Sequence, residues 1–361
     1  MHQKKKKINR RESLKIIGAG SLGGAFLGAG MSCQGKVDSS DTPQPAFHPS
    51  YNKSDKIATV SLVKGKNRRE IVYQSLKNLE KEILESIGKK KVLIKPNLVY
   101  HQSPTCATDP DAIRGVLDFL SPNIKDQIIV GESTASRPFT TMELFEDYGY
   151  FPLQEEYDIK LVDLNKESYQ YRHILGENNT VAPVRIISWF LDPDIYLISV
   201  PRMKTHAQCY VTLSLKNVLM AAPLNDYLNP DGGWTQGDKY NMHVTEESSA
   251  TDPLYYNLYQ LAHHVYPDLA VIDGFEGMEG DGPVGGPMVD SRIAVTSLDA
   301  LAADVMATKA MDLDPGIVPY LNFINEAGFG QGDPEKIQTV GTPLDECICK
   351  FEPSSIAALL S

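Results

Sequence analysis

The sequence predicts an α/β protein: a mostly parallel sheet flanked by helices, built as a single large domain. Three observations lead there. Short β-rich apolar runs alternate with amphipathic helical patterns from residue 57 onward. The runs Val92-Leu93-Ile94 and Ile128-Ile129-Val130 are continuously apolar, as strands covered on both faces are. Each run then stops abruptly at polar residues.

Residues 57–63 read as the first strand. Over 68–87, Ile71, Leu76, Leu79, Ile83 and Ile87 fall near one face, which predicts one long helix. A short buried strand is expected at 92–94. A helix follows over 109–120, with Pro110 in its first turn. Then come a strand at 128–130, a helix over 141–148 and strands at 160–162, 184–188 and 195–200. Val211, Leu213 and Leu215 alternate with Thr212, Ser214 and Lys216, the pattern of a strand with its polar groups on one face. The long polar segment 225–249 is a loop of the kind that is functional or mobile. Leu254, Leu258, Leu261, Ala262 and Val265 keep the 3.6-residue period of a helix over 252–266, on which His263 and His264 are expected to face solvent. A strand at 269–272 and a helix capped by Ser297 and running to 311 complete the pattern.

The opening 33 residues have the three parts of an export signal. Lys4 to Lys7 form a basic region, Arg10-Arg11 precede Ser13-Leu14-Lys15 in a twin-arginine-like arrangement, and 16–31 carry no charge. A short membrane anchor or a plain basic tail are the alternatives, and the run of about 17 uncharged residues is at the lower limit for a spanning helix. Gly30-Met31-Ser32-Cys33 resembles a relaxed lipobox, so Cys33 is the expected lipidation site and membrane tether. Residues 34–55, with Pro43, Pro45 and Pro49, read as a flexible tether. The folded domain is assigned to 56–345 and a C-terminal tail to 346–361. The expected partner in export is the twin-arginine machinery, which carries folded cargo, and the expected location is the periplasm or cell envelope.

The chain has 35 Lys and Arg against 46 Asp and Glu. With the first 33 residues set aside, 28 basic face 45 acidic side chains, a net −17. That balance argues against nucleic acid, which demands basic surface. It leaves room for a small anionic ligand, because a local basic cluster acts inside an acidic shell. Beyond Cys33 stand Cys106, Cys209, Cys347 and Cys349, whose spacing fits neither a zinc knuckle nor an iron–sulfur run. No Walker loop, nucleophile elbow or His-Glu-x-x-His pair occurs.

The chemistry collects where strands end. The first buried strand stops at Lys95-Pro96-Asn97, the next at Gly131-Glu132-Ser133, and 195–200 at Pro201-Arg202-Met203-Lys204-Thr205-His206. The strand at 269–272 stops at Asp273-Gly274-Phe275-Glu276. In open parallel sheets ligands bind just outside the carboxyl ends of strands, so four such clusters point to one crevice. Lys95, Lys204 and His206 are the candidate catalytic groups: two ammoniums to hold a carboxylate or phosphate, and an imidazole to move a proton. Asn97, Glu132, Ser133, Lys216 and Asn217 are candidate substrate-binding residues. Asp273 and Glu279, in an acidic Gly-rich stretch, are candidate ligands for a divalent metal, although the spacing is not that of an EF-hand.

These same residues carry a family resemblance. The segments VLIKPNLV (92–99), ATDP (107–110), IIVGES (128–133), SVPRMKTH (199–206), LSLKNVLM (213–220) and VIDGFEGMEGDGPVGG (271–286) resemble a domain-of-unknown-function family, number 362. So do ALAADVMATKAM (300–311) and INEAGFGQGD (324–333). The resemblance spans about residues 56–341. It implies a single α/β domain and no settled reaction. It also picks out Lys95, Asn97, Asp109, Glu132, Lys204, His206, Lys216, Asn217, Asp273, Glu279 and Asp304. Some relatives carry ferredoxin-like cysteine modules, which this sequence lacks.

Three functions follow: an exported enzyme acting on a small anion, a non-catalytic anion-capturing lipoprotein, or a redox or cofactor-maturation factor exported already loaded.

Overall fold

A computed structural model describes residues 56–136, 138–176, 180–226, 237–243 and 252–358. The export signal, Cys33 and the tether lie outside the described residues, as do 227–236 and 244–251 of the long polar loop.

Thirteen strands are described: β1 (Ala58–Lys64), β2 (Lys91–Pro96), β3 (Ile128–Glu132), β4 (Ile159–Asp163), β5 (Tyr169–Leu175), β6 (Val181–Ile187), β7 (Ile195–Val200), β8 (Arg202–His206), β9 (Tyr210–Thr212), β10 (Leu269–Met278), β11 (Met288–Val289), β12 (Ile293–Ser297) and β13 (Ile337–Gly341). Eleven form one sheet whose main path runs β13-β1-β12-β10-β7-β2-β3-β4. The run β10-β7-β2-β3-β4 is parallel throughout. β12 joins it antiparallel to β10 and to β1, and β13 lies parallel to β1. The α/β class with a mostly parallel sheet is therefore the observed one. β5 and β6 form a separate antiparallel pair.

Both faces of the parallel strands are covered, which explains their unbroken apolar runs. Leu93 and Leu197 pack into one apolar core with the helices Ser214–Leu219, Asp252–Ala262 and Ala300–Ala310. Val92, Ile94, Tyr196 and Ile198 pack into a second core with the helices Arg68–Lys77, Glu80–Ile87 and Pro110–Leu120.

Several local expectations need correction. The helix predicted over 68–87 is two, parted at Asn78, whose side chain leaves the helix line to donate to Ser61 Oγ at 3.0 Å. The strand-like alternation over 211–216 ends at Thr212, and Ser214–Leu219 is helical. The cause is tertiary: both carboxylate oxygens of Asp304 accept the backbone N–H groups of Ser214 and Leu215 (2.7 and 3.0 Å), which caps that helix. The last long helix is capped by Asp299 rather than Ser297; Ser297 Oγ donates to Thr59 O and accepts from Asp299 N.

β10 runs on through Met278, so the strand predicted at 269–272 extends into the acidic Gly-rich stretch. Gly277 permits this, because a Cβ there would sit 2.4 Å from the ring of Phe351. Beyond residue 345 the chain is still packed: Cys347 and Phe351 are buried, and Phe351 N donates to Met311 O. His263 is half-buried, its ring edge-on to Phe329 at 4.5 Å, rather than turned to solvent. Among the described residues no helix is long and apolar enough to cross a membrane.

Candidate functional site

Three of the four strand-end clusters meet. The β2–β7 register sets Lys95 beside Ser199, and β3 delivers Glu132 from the next strand over. Pro201 breaks the chain between β7 and β8, so β8 leaves β7 and pairs with β10, carrying Lys204 and His206 over the strand ends. The helix Ser214–Leu219 then brings Lys216 and Asn217 to the same place. Together with Asn97, Ser133, Thr212 and Gln208 these residues line one cavity of about 290 Å³. All eight candidate catalytic and substrate-binding residues of the sequence line this cavity.

Beneath the cavity lies a closed polar network. Lys95 Nζ donates to Asn217 Oδ1 at 2.7 Å and pairs with Glu132 Oε1 at 3.0 Å. Asn217 Oδ1 also accepts from Asn97 Nδ2 at 2.8 Å, and Asn217 Nδ2 donates to Lys95 O and to Ser199 Oγ. Glu132 accepts the backbone N–H groups of Leu98 and Ser133, each at 2.7 Å. Lys204 Nζ gives three hydrogen bonds, to Asn97 Oδ1 (2.9 Å), Cys106 O (3.0 Å) and Pro283 O (3.2 Å). An ammonium has three N–H groups, so all of Lys204's are committed to the protein. Buried networks of this kind hold their members rigidly when every group is satisfied.

Burial lowers the Lys204 pKa to about 8, helped by the neighbouring cations Lys216, Arg202 and Lys95. Lys95 is also pushed down by burial, against the upward pull of Glu132. His206 Nδ1 accepts from the backbone N–H groups of Gln208 (3.0 Å) and Cys209 (3.1 Å), so its ring proton sits on Nε2. Burial and the charges of Lys216 and Lys204 hold His206 well below its usual pKa. It is therefore a neutral imidazole with an N–H to offer, and its chemistry is that of a hydrogen-bond donor.

The groups left to meet a ligand are few. Lys216 Nζ has no hydrogen bond or ion pair among the described residues, although the residue is buried. Thr212 Oγ1 is buried and lacks a hydrogen-bond partner among them. His206 Nε2–H and the third N–H of Lys95 are available beside them.

Sequence reasoning did not single out Lys239. It belongs to the short helix Asp238–Asn241 within the long polar loop and reaches back to donate to Ser133 Oγ (3.1 Å), Met220 O (2.9 Å) and Ala221 O (2.7 Å). Tyr240, His243 and Asn225 line the same cavity. The length and polarity of that loop were the only signals. The lining thus carries four lysines against one carboxylate, Glu132.

The fourth strand-end cluster lies elsewhere. Arg68 donates to Asp273 Oδ1 (3.3 Å), Asp109 Oδ2 (2.5 Å) and Glu276 Oε2 (2.6 Å), and Arg202 donates to Glu276 O and Ala107 O. Glu279 instead accepts Glu352 N at 2.8 Å. The two carboxylates proposed as metal ligands are thus held by different partners, Asp273 by a guanidinium. Among the described residues no group of three or more His, Cys, Asp or Glu side chains is arranged to hold a metal ion.

Comparison with known proteins places this geometry in context. The thylakoid-associated protein sll1697 of Synechocystis is 26% identical over 233 residues, 64% of this chain and 66% of that protein. The chain thus spans just under two thirds of the length of that curated relative. Two solved structures are matched at low similarity: a protein from Thermotoga maritima (TM-score 0.39, 11% identity, covering 68% of this chain and 60% of that one), and the lactate racemase apoprotein of Thermoanaerobacterium thermosaccharolyticum (TM-score 0.39, 14% identity, covering 72% and 58%). The profile of the family described as a domain of unknown function (DUF362) matches residues 92–309, which contain the whole cavity lining, and the chain belongs to that family.

Proposed function

We propose that this protein is an exported enzyme that binds a small carboxylate- or phosphate-bearing molecule in the lysine-lined cavity. One observation supports the reading above others: four buried lysines surround a cavity whose lining holds one carboxylate, in a chain whose net charge is −11. Gathering ammoniums away from water is costly without a counter-charge, and an anionic ligand supplies it. Lys216, His206 Nε2–H and Thr212 are the donors that would meet it. Lys204 adds positive potential, and Lys204 and Lys239 both fix the walls. Calorimetry with sulfate, inorganic phosphate and short carboxylates tests the reading. Binding of at least one, weakened by Lys216→Met, is the expected result; no binding of any would end it. Turnover assays on each bound molecule then separate an enzyme from a capture protein.

Export belongs to the same proposal. The signal-like start and Cys33 support a folded domain carried across a membrane and tethered by a lipidated cysteine. Replacing Arg10 and Arg11 with Lys should hold the protein in the cytoplasm, and Cys33→Ala should release it from the membrane fraction without blocking export. Unchanged fractionation of both variants would refute this part.

A further inference from the structure

The four lysines of the cavity are not equivalent. Lys204 and Lys239 each give three hydrogen bonds to fixed protein acceptors, and Lys95 is held between Asn217 and Glu132. These partners keep each nitrogen in one place, although burial lowers the pKa of all three and takes Lys239 well below the usual lysine range. Lys216 is different. It stands on a short helix pinned by Asp304, its side chain lines the cavity, and its Nζ has no hydrogen bond or ion pair among the described residues.

Burial opposes a charge on Lys216. Lys95, Lys204, His206 and His243 all lie near enough for its ammonium to repel their protonated forms. Burial lowers its pKa, and the one group pulling the other way is the Cys209 thiol. That thiol is itself pushed up to about 11 by burial, so it carries no charge near neutrality. A lysine that is desolvated, unpaired and beside other cations is the arrangement that turns an ammonium into a nucleophilic amine. The same cavity offers cations for a carboxylate and an N–H at His206 for a carbonyl oxygen.

We propose that the Lys216 amine forms an imine with a small 2-oxo acid bound in this cavity, an inference that rests on the anion-site reading above. The nitrogen lone pair attacks the carbonyl carbon and the C–N bond forms, while the carbonyl oxygen becomes a hydroxyl. The carbinolamine then loses that oxygen as water, which takes both amine hydrogens and leaves C=N. No oxidant or reductant takes part. His206 Nε2–H and the Thr212 hydroxyl are the polar groups available to the oxygen as its charge changes.

Pyruvate with sodium cyanoborohydride is the probe, applied to the full chain and read by peptide mass spectrometry. Reduced adduct should accumulate on Lys216 roughly ten-fold above the average surface lysine, and excess inorganic phosphate should suppress it without changing the surface labelling. In Lys216→Arg the adduct at this position should vanish while the labelling of surface lysines stays at its wild-type level. Should that variant fail to fold, the phosphate competition on the wild-type chain decides. Pyruvate that binds in competition with phosphate but leaves Lys216 labelled no more than surface lysines overturns the imine and spares the anion site. Adduct on Lys95, Lys204 or Lys239 instead overturns the choice of Lys216. Absence of binding by pyruvate, phosphate, sulfate and the other short carboxylates alike overturns both readings.

Discussion

Lys95 Nζ lies 2.7 Å from Asn217 Oδ1 across 122 residues of sequence, and the amide answers by donating to the Lys95 carbonyl at 3.2 Å. This reciprocal pair ties the end of β2 to the helix that carries Lys216. Asn217 uses its whole hydrogen-bonding capacity here, with Asn97 and Ser199 as its other partners. Asn217→Ala leaves buried donors on Lys95 and Asn97 short of an acceptor, at about 1–3 kcal/mol for each group left unsatisfied. Urea unfolding should therefore show a loss of about 2–4 kcal/mol, with anion binding abolished. A loss under about 0.5 kcal/mol would mean that the network is not structural.

His206 separates two roles on one ring. Its Nδ1 holds the turn through the amides of Gln208 and Cys209, while Nε2–H remains for the cavity. Asn places an acceptor near the Nδ1 position but has nothing at Nε2. His206→Asn should keep unfolding stability within about 1 kcal/mol of wild type while weakening anion binding. His206→Ala should lose both. Equal ligand affinity in His206→Asn and wild type would remove His206 from the site.

The sequence carried more of the site than of its supports. Strand ends at Lys95, Glu132 and Lys204 were legible because buried parallel strands read as apolar runs with sharp polar stops. Lys216 falls in a strand-like pattern that the fold replaces with a helix, because the deciding contact is with Asp304, some 90 residues away, and no local pattern reports it. Lys239 was missed because a four-residue helix inside a polar loop has no periodicity to detect. Asp273 was grouped with the other strand-end residues, but its pairing with Arg68 depends on a distant helix.

The part of the cavity wall at Pro283 depends on backbone closeness. A Cβ on Gly282 would sit 2.4 Å from Thr205 O, and the next residue supplies the carbonyl that Lys204 uses. Backbone cannot yield as a side-chain tip can. Gly282→Ala should cost about 1–3 kcal/mol of stability and weaken anion binding by displacing Pro283. Thermal unfolding and calorimetry check this, and an unchanged variant would show that the turn has slack.

Asp304 ties stability to pH. Burial raises its pKa to about 8 despite the two backbone N–H bonds that favour the anion, whereas an unfolded Asp titrates near about 3.9. Between these values the folded state binds the extra proton, so this contribution to stability is full below about pH 4 and is lost as pH rises through about 8. Asp304→Asn removes the titration. The difference in stability between wild type and variant should therefore shift steadily in the variant's favour from pH 5 to 8; a constant difference would show that Asp304 does not titrate in this range.

Ligand affinity should have its own pH dependence, set by Lys204. Burial, reinforced by Lys216, Arg202 and Lys95, lowers its pKa to about 8, against about 10.4 for an unfolded lysine. Above about 8 the folded protein sheds a proton that the unfolded chain keeps, so stability from this group rises with pH up to about 10.4. Binding moves the other way, because an anion favours the ammonium. Sulfate is the informative probe, since its own charge is constant over this range. Its affinity should be level below pH 7 and then weaken, approaching roughly ten-fold per pH unit above about 8 if one proton is coupled. Three cations share the environment, so Lys204→Gln is the control: its sulfate affinity should start lower and lose most of this slope. A flat profile in the wild-type protein from pH 7 to 9.5 would exclude the Lys204 charge from the binding energy and leave its three hydrogen bonds as its whole contribution.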